Sequence, residues 1–110
     1  MPLNEETHYR ILKLLQEQPD TTQRELAREL GISLGKVNYC MQALIKKGLV
    51  KAGNFRRNPR KSRYAYFLTP KGIEEKTRVA LCLLKQKAQE YESLKRELRQ
   101  LRHDAGLVAE

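Results

Sequence analysis

Asn38 and Gln42 are the residues of this chain best suited to reading another molecule. A carboxamide holds a donor and an acceptor side by side, and that pair matches the adenine edge in the DNA major groove bidentately. Leu34 or Tyr39 can contact a thymine methyl. Gly35 allows close approach of the backbone. Ser33, Lys36, Lys46 and Lys47 suit phosphate, which positions a protein on a duplex without specifying sequence. A second group lies in RRNPRKSR, residues 56–63, where Arg56, Arg57, Arg60, Lys61 and Arg63 are cations. They would follow the neighbouring phosphate backbone, with one arginine in the minor groove.

The distribution of charge carries the same message. The 110 residues have a formal net charge of +9. No acid occurs between Glu29 and Glu74, and that window holds ten of the 22 Lys and Arg residues. The remainder has 12 basic residues against 13 acidic, so the whole positive excess belongs to the window. A segregated excess of this kind predicts a polyanion-binding face.

Other chemistries find little support. There is no Gly-rich phosphate loop and no nucleophile–base pair; His8 and His103 lie far apart in the chain. An enzyme is not expected. Cys40 and Cys82 form no CxxC pair and no metal spacing with the histidines, so no cofactor or metal is expected. Both read as structural thiols of a reduced, cytoplasmic protein. MPLNEETHYR lacks the pattern of a signal peptide. The longest apolar run, Val79–Leu84, is too short to span a bilayer, so no membrane partner is expected.

The elements that must position these residues can be read locally. Asn4 can cap a first helix, with Ile11, Leu12, Leu14 and Leu15 as its buried face, and Gln18-Pro19-Asp20 stops it. Thr22 and Glu25 form a T-x-x-E capping box that opens a second helix. Gly31 is placed to end that helix with a positive φ, and Ser33 caps a third from about Leu34 to Lys47, closed by Gly48. The inward set is Leu26, Ala27, Leu30, Ile32, Val37, Cys40, Leu44 and Ile45. Two β-type runs follow, 49–55 and 64–68, the second alternating Tyr64, Tyr66 and Leu68 against Ala65 and Phe67. Thr69-Pro70 opens a last helix of roughly thirty residues, with Gly106 beyond its end.

The expected fold is therefore mainly α with a small β-hairpin: a winged helix-turn-helix over 1–70, a long coiled-coil-like helix over 71–103, and a tail over 104–110. Along that helix Ile73, Thr77, Ala80, Leu84, Lys87, Tyr91, Leu94, Leu98 and Leu101 keep a 4-3 spacing. This is a heptad seam, weakened by Thr77 and Lys87. Its first half is expected to pack on the winged domain and a partner, its second to form a two-helix seam. With Leu94 and Leu101 at d, Glu90 and Glu97 fall at g and Lys95 and Arg102 at e. A parallel pair then sets Glu90 against Lys95 and Glu97 against Arg102, whereas an antiparallel pair sets like charges together. A parallel homodimer is preferred, by roughly 0.2–1 kcal/mol for each exposed pair.

TQRELARELGISLGKVNYCMQALIKKGLV and the hairpin exit YAYFLTPKG together resemble MarR-type bacterial transcription regulators. A strand ending in Leu-Thr-Pro-x-Gly and feeding a helix is common in that family. ELGISLGKVNYC and YAYFLTPKGIEEK are similar to a short group of MarR-like regulators associated with exopolysaccharide gene clusters. The resemblance implies a repressor of such genes, binding an inverted repeat of double-stranded DNA as a homodimer. Typical members have longer terminal helices that interlace around a pocket for aromatic effectors; here about three residues precede the first helix, and no effector is assigned. The competing reading is a winged-helix adaptor for RNA or protein. Such modules scatter acids over helix and wing, so the acid-free window weighs against a protein partner and leaves RNA open.

Overall fold

The computed structural model describes residues 5–55 and 63–107, apart from the side chains of 54, 55, 63 and 64. Six elements follow in order: α1 (Glu5–Glu17), α2 (Gln23–Leu30), α3 (Leu34–Lys46), β1 (Val50–Phe55), β2 (Arg63–Leu68) and α4 (Pro70–Asp104). This is a winged helix-turn-helix with a long C-terminal helix. The expected cap Asn4 and the hairpin-tip cations Arg56, Arg57, Arg60 and Lys61 lie outside the described residues. The chain divides into two compact units, Met1–Val79 and Ala80–Glu110. No helix among the described residues is long and apolar enough to cross a membrane.

Local signals set the helix ends. Thr22 Oγ1 accepts the Glu25 N–H at 3.1 Å and donates to the Glu25 carboxylate at 3.1 Å. Gly31 leaves α2 with φ 67°, and the Ile32 N–H returns to the Ala27 carbonyl at 3.1 Å. That return bond satisfies a carbonyl which the helix end would otherwise orphan. Ser33 Oγ accepts the Lys36 N–H at 3.1 Å and starts α3. Gly48, with φ 75°, lets the Leu49 N–H close back on the Leu44 carbonyl at 2.9 Å.

The core of the first unit joins α1, α2, α3 and the start of β1. Ile11, Leu12, Leu15, Leu26, Val37, Cys40, Met41 and Leu44 are all but fully buried, with Leu30, Leu49 and Val50 beside them. One inward assignment is corrected. Ile45 is 39% exposed and Met41 is buried in its place. Val37, Cys40, Met41 and Leu44 follow the i, i+3, i+4, i+7 stripe of a helix packed on one side, and Ile45 falls off its edge.

Strands β1 and β2 pair antiparallel from Val50↔Leu68 to Phe55↔Arg63. Tyr66 and Leu68 pack against the core, while Phe67 is 39% exposed. The Tyr66 N–H donates to the Pro19 carbonyl at 3.0 Å, which ties β2 to the α1–α2 turn.

Thr69 clasps the start of α4 to the end of α3. Its hydroxyl donates to the Gly48 carbonyl at 2.6 Å and accepts the Gly72 N–H at 3.0 Å. Its own N–H donates to the Leu49 carbonyl at 3.1 Å. Within the first unit α4 is buried through Gly72 and Val79, not through the heptad seam: Ile73 is 46% exposed and Thr77 is exposed. The expectation that the early seam packs on the winged domain is corrected accordingly. Gly72 and Val79 share one heptad position, offset from the a and d rows, so the inward stripe and the seam occupy different sides of one helix.

Candidate nucleic-acid interface

Helix α3 presents its outer residues because its inner stripe is held by the core. Ser33, Leu34, Gly35, Lys36, Asn38, Tyr39 and Gln42 are all exposed. Leu34, Asn38, Gln42 and Lys46 succeed one another at i+4, which puts them on one ridge of the helix. Leu34 and Tyr39 are 43% and 50% exposed, large apolar surfaces to leave facing water. Ser33 Oγ already accepts a backbone bond as the cap, so its hydroxyl hydrogen is what it offers outward.

The two cations at the end of α3 separate. Lys46 continues the Asn38–Gln42 ridge. Lys47 lies nine residues after Asn38, about 180° around a helix. Its ammonium acts electrostatically on His8 and Glu75, and its carbonyl accepts from Lys71 Nζ at 3.2 Å. Lys47 thus belongs to the α1–α4 side of the unit.

The carboxamides on the ridge are not independent. Gln42 Nε2 donates to Asn38 Oδ1 at 2.9 Å. Asn38 Nδ2 donates to Gln23 Oε1 at 3.2 Å, and Gln23 Nε2 donates to Tyr66 Oη at 3.1 Å. The relay runs from α3 through the first residue of α2 to the wing strand β2. Gln23 and Tyr66 were not among the residues expected to serve the site. Gln23 follows a recognisable cap, but nothing local shows that the first turn of α2 faces Asn38.

Cys40 lies on α3 with its side chain in the core. Burial pushes its thiol pKa up against the opposing pull of Lys36, which keeps it protonated and inert. His8, on α1, buries Nε2 with no hydrogen-bond partner among the described residues. Burial lowers its pKa below 6.5 and Lys47 lowers it further, against Glu75 and Glu5. The unfolded chain therefore binds more protons just below pH 6.5. Stability should fall as the pH drops through that value and level off once the folded pKa is passed. His8→Phe should remove this segment of the pH dependence. Urea midpoints between pH 7.5 and 5 check it, and equal acid losses in both proteins would acquit His8.

On the second unit, the seam faces solvent in the single chain. Leu84, Tyr91, Leu94, Leu98 and Leu101 are 43–66% exposed, and Ala80 is partly buried. Lys95 lies over the Tyr91 ring, 5.2 Å from its centre. Within the helix Lys87 pairs with Glu90 at 3.7 Å and Lys95 with Glu92 at 3.8 Å.

Comparison with known proteins places this geometry. Residues 4–51 match the family model described as winged helix-turn-helix DNA-binding. No curated protein shows a significant match. Among solved structures, the Mycobacterium tuberculosis MarR family protein Rv2887, in complex with p-aminosalicylic acid, aligns with a TM-score of 0.65 at 20% identity, over 91% of this chain and 77% of that one. The PcaV transcriptional regulator of Streptomyces coelicolor aligns with a TM-score of 0.63 at 19% identity, over 93% and 79%. A single-residue variant of MepR from S. aureus, bound to an oligodeoxyribonucleotide, aligns with a TM-score of 0.60 at 22% identity, over 93% and 78%. At these identities the likeness is one of fold.

Proposed function

We propose that this chain is a sequence-specific, duplex-DNA-binding transcription regulator that works as a homodimer. One observation carries the reading. The exposed ridge Leu34–Asn38–Gln42–Lys46 stands within the 44-residue stretch that lacks any acid, on a helix whose opposite side is locked into the core. A convex helix with amides and apolar groups outward, flanked by cations, suits a major groove. Lys36 and Lys46 would meet phosphate, and Arg56, Arg57, Arg60, Lys61 and Arg63 would extend that contact along the wing. The DNA-bound relative supports the same use of this fold.

The exposed α4 seam would receive a second copy, giving two recognition helices for an inverted repeat. A parallel pair would let Glu90 and Lys95 exchange their partners within the helix for charges across the seam. The resemblance in ELGISLGKVNYC and YAYFLTPKGIEEK supports repression of exopolysaccharide genes.

Selection from a randomised duplex library, with structured RNA as competitor, tests the reading. One duplex motif should be enriched and RNA should not displace it. Asn38→Ala should cost about 1–3 kcal/mol of specific binding at one base position and leave scrambled duplex almost unaffected. Equal losses on both would show that Asn38 reads no base.

A further inference from the structure

We infer that Gln23, anchored by Tyr66 of the wing, is a specificity-positioning residue: it fixes which way the Asn38 carboxamide points and so which base the Asn38–Gln42 pair accepts. This rests on the DNA-binding reading above and adds to it a determinant that lies off the recognition helix. A carboxamide turned by half a rotation exchanges its donor and its acceptor. Adenine offers an acceptor and a donor in fixed order, so an amide must be correctly turned to pair with it bidentately. A freely turning Asn38 would pay for that order on binding; a held one presents it in advance.

The relay supplies the hold. Its three bonds run in one direction: Gln42 to Asn38 at 2.9 Å, Asn38 to Gln23 at 3.2 Å, Gln23 to Tyr66 at 3.1 Å. Each central amide gives one hydrogen and takes one. A flip at Asn38 alone would set donor against donor at Gln42 and acceptor against acceptor at Gln23. Reversal therefore needs all three amides to turn together, with the Tyr66 hydroxyl changing from acceptor to donor. Tyr66 is well fixed, because it is half-buried against the core and its N–H is bound to the Pro19 carbonyl at 3.0 Å. Gln23 opens α2 four residues after Pro19, so both groups that hold Tyr66 lie close together in the chain. After these bonds Asn38 and Gln42 each retain one N–H and at least one oxygen lone pair for a base edge.

The test uses the full chain and its own selected duplex. Base preferences are read by library selection for the wild type, Gln23→Ala, Gln23→Glu, Tyr66→Phe, Asn38→Ala and the Gln23→Ala/Asn38→Ala double variant, with affinities for selected and scrambled duplexes. Gln23→Ala should flatten the preference at the position that Asn38→Ala flattens and spare the others. Its affinity for the selected duplex should fall about tenfold, with scrambled binding within about twofold. The double variant should bind no more weakly than Asn38→Ala alone, because the two residues act as one unit. Tyr66→Phe should flatten the same position less. A glutamate at 23 still accepts from Asn38 and can accept from the Tyr66 hydroxyl. Gln23→Glu should thus recover the preference while its charge weakens selected and scrambled binding alike. A purely structural role for Gln23 would not give that split. An unchanged preference in Gln23→Ala, additive losses in the double variant, or failure of Gln23→Glu to recover the preference would each overturn the inference while leaving the regulator reading intact. Enrichment of no duplex by the wild type would overturn both.

Discussion

Gly72→Ala should destabilise the winged domain by about 2–3 kcal/mol, enough to lower the melting temperature by roughly 10–20 °C for a unit of this size. A methyl group at position 72 would stand 2.0 Å from the Leu49 carbonyl oxygen and 3.0 Å from its carbon. Those atoms are backbone at the junction of α3 and β1 and cannot rotate away. Either α4 lifts off or Leu49 shifts, and Leu49 and Val50 are core residues. Lifting α4 would also strain the Thr69 bonds to Gly48 and Leu49. The ordinary gain from replacing a helical glycine by alanine, up to about 1 kcal/mol, works against this loss and is too small to reverse it. Gly35 provides the control. It too lies in a helix, but nothing stands within 4 Å of its missing Cβ. Gly35→Ala should leave stability unchanged or slightly higher, and should weaken DNA binding if the backbone there approaches the duplex. Urea unfolding of the two variants decides the matter. A Gly72→Ala protein as stable as wild type would mean that α4 does not sit this closely on Leu49.

Replacing Leu94 and Leu98 together by glutamate should abolish the proposed homodimer and weaken binding to the selected duplex by about 10²–10⁴. Both leucines are largely exposed in the single chain, 52% and 43%, so neither is needed to fold the first unit. In a paired seam each would be covered, and two carboxylates per chain would then be buried against two more. The DNA effect follows from linkage. Two tethered domains bind an inverted repeat with the second contact nearly intramolecular, whereas monomers must each bind alone. Sedimentation should give a dimer for the wild type and a monomer for the double variant at the same concentration, with the melting of the winged domain unchanged. A double variant that remained dimeric would move the interface elsewhere. A monomeric variant binding the full site undiminished would show that pairing contributes nothing to recognition.

The parts of this fold legible in the sequence are those whose bonds close within a few residues. Thr22 and Glu25, Ser33 and Lys36, and Thr69 and Gly72 are each three apart, and each pair forms the cap that its residue types predict. Gly31, Gly48 and Gly106 all take positive φ where a helix had to end. The outer side of α3 was legible for a related reason: fixing the apolar stripe of α3 leaves only one side for Asn38 and Gln42, and both are exposed there.

Residues whose role depends on how elements cross were not legible. Ile45 and Met41 are both apolar and both within one turn of Leu44, and only the packing of α3 on its neighbours chose Met41. Gly72 and Gly35 look alike along the chain, and only the seating of α4 on Leu49 distinguishes them. Lys46 and Lys47 are adjacent cations that end on different sides of α3. In the carboxamide relay Asn38 and Gln23 are 15 residues apart and Gln23 and Tyr66 are 43 apart, so no local pattern joins them. The sequence by itself determined where helices start and stop, which side of α3 faces outward, and where positive charge collects, because capping and periodicity are short-range. The tertiary structure alone decided which of those outward groups are held, and by what, because that depends on contacts between segments the chain brings together only on folding.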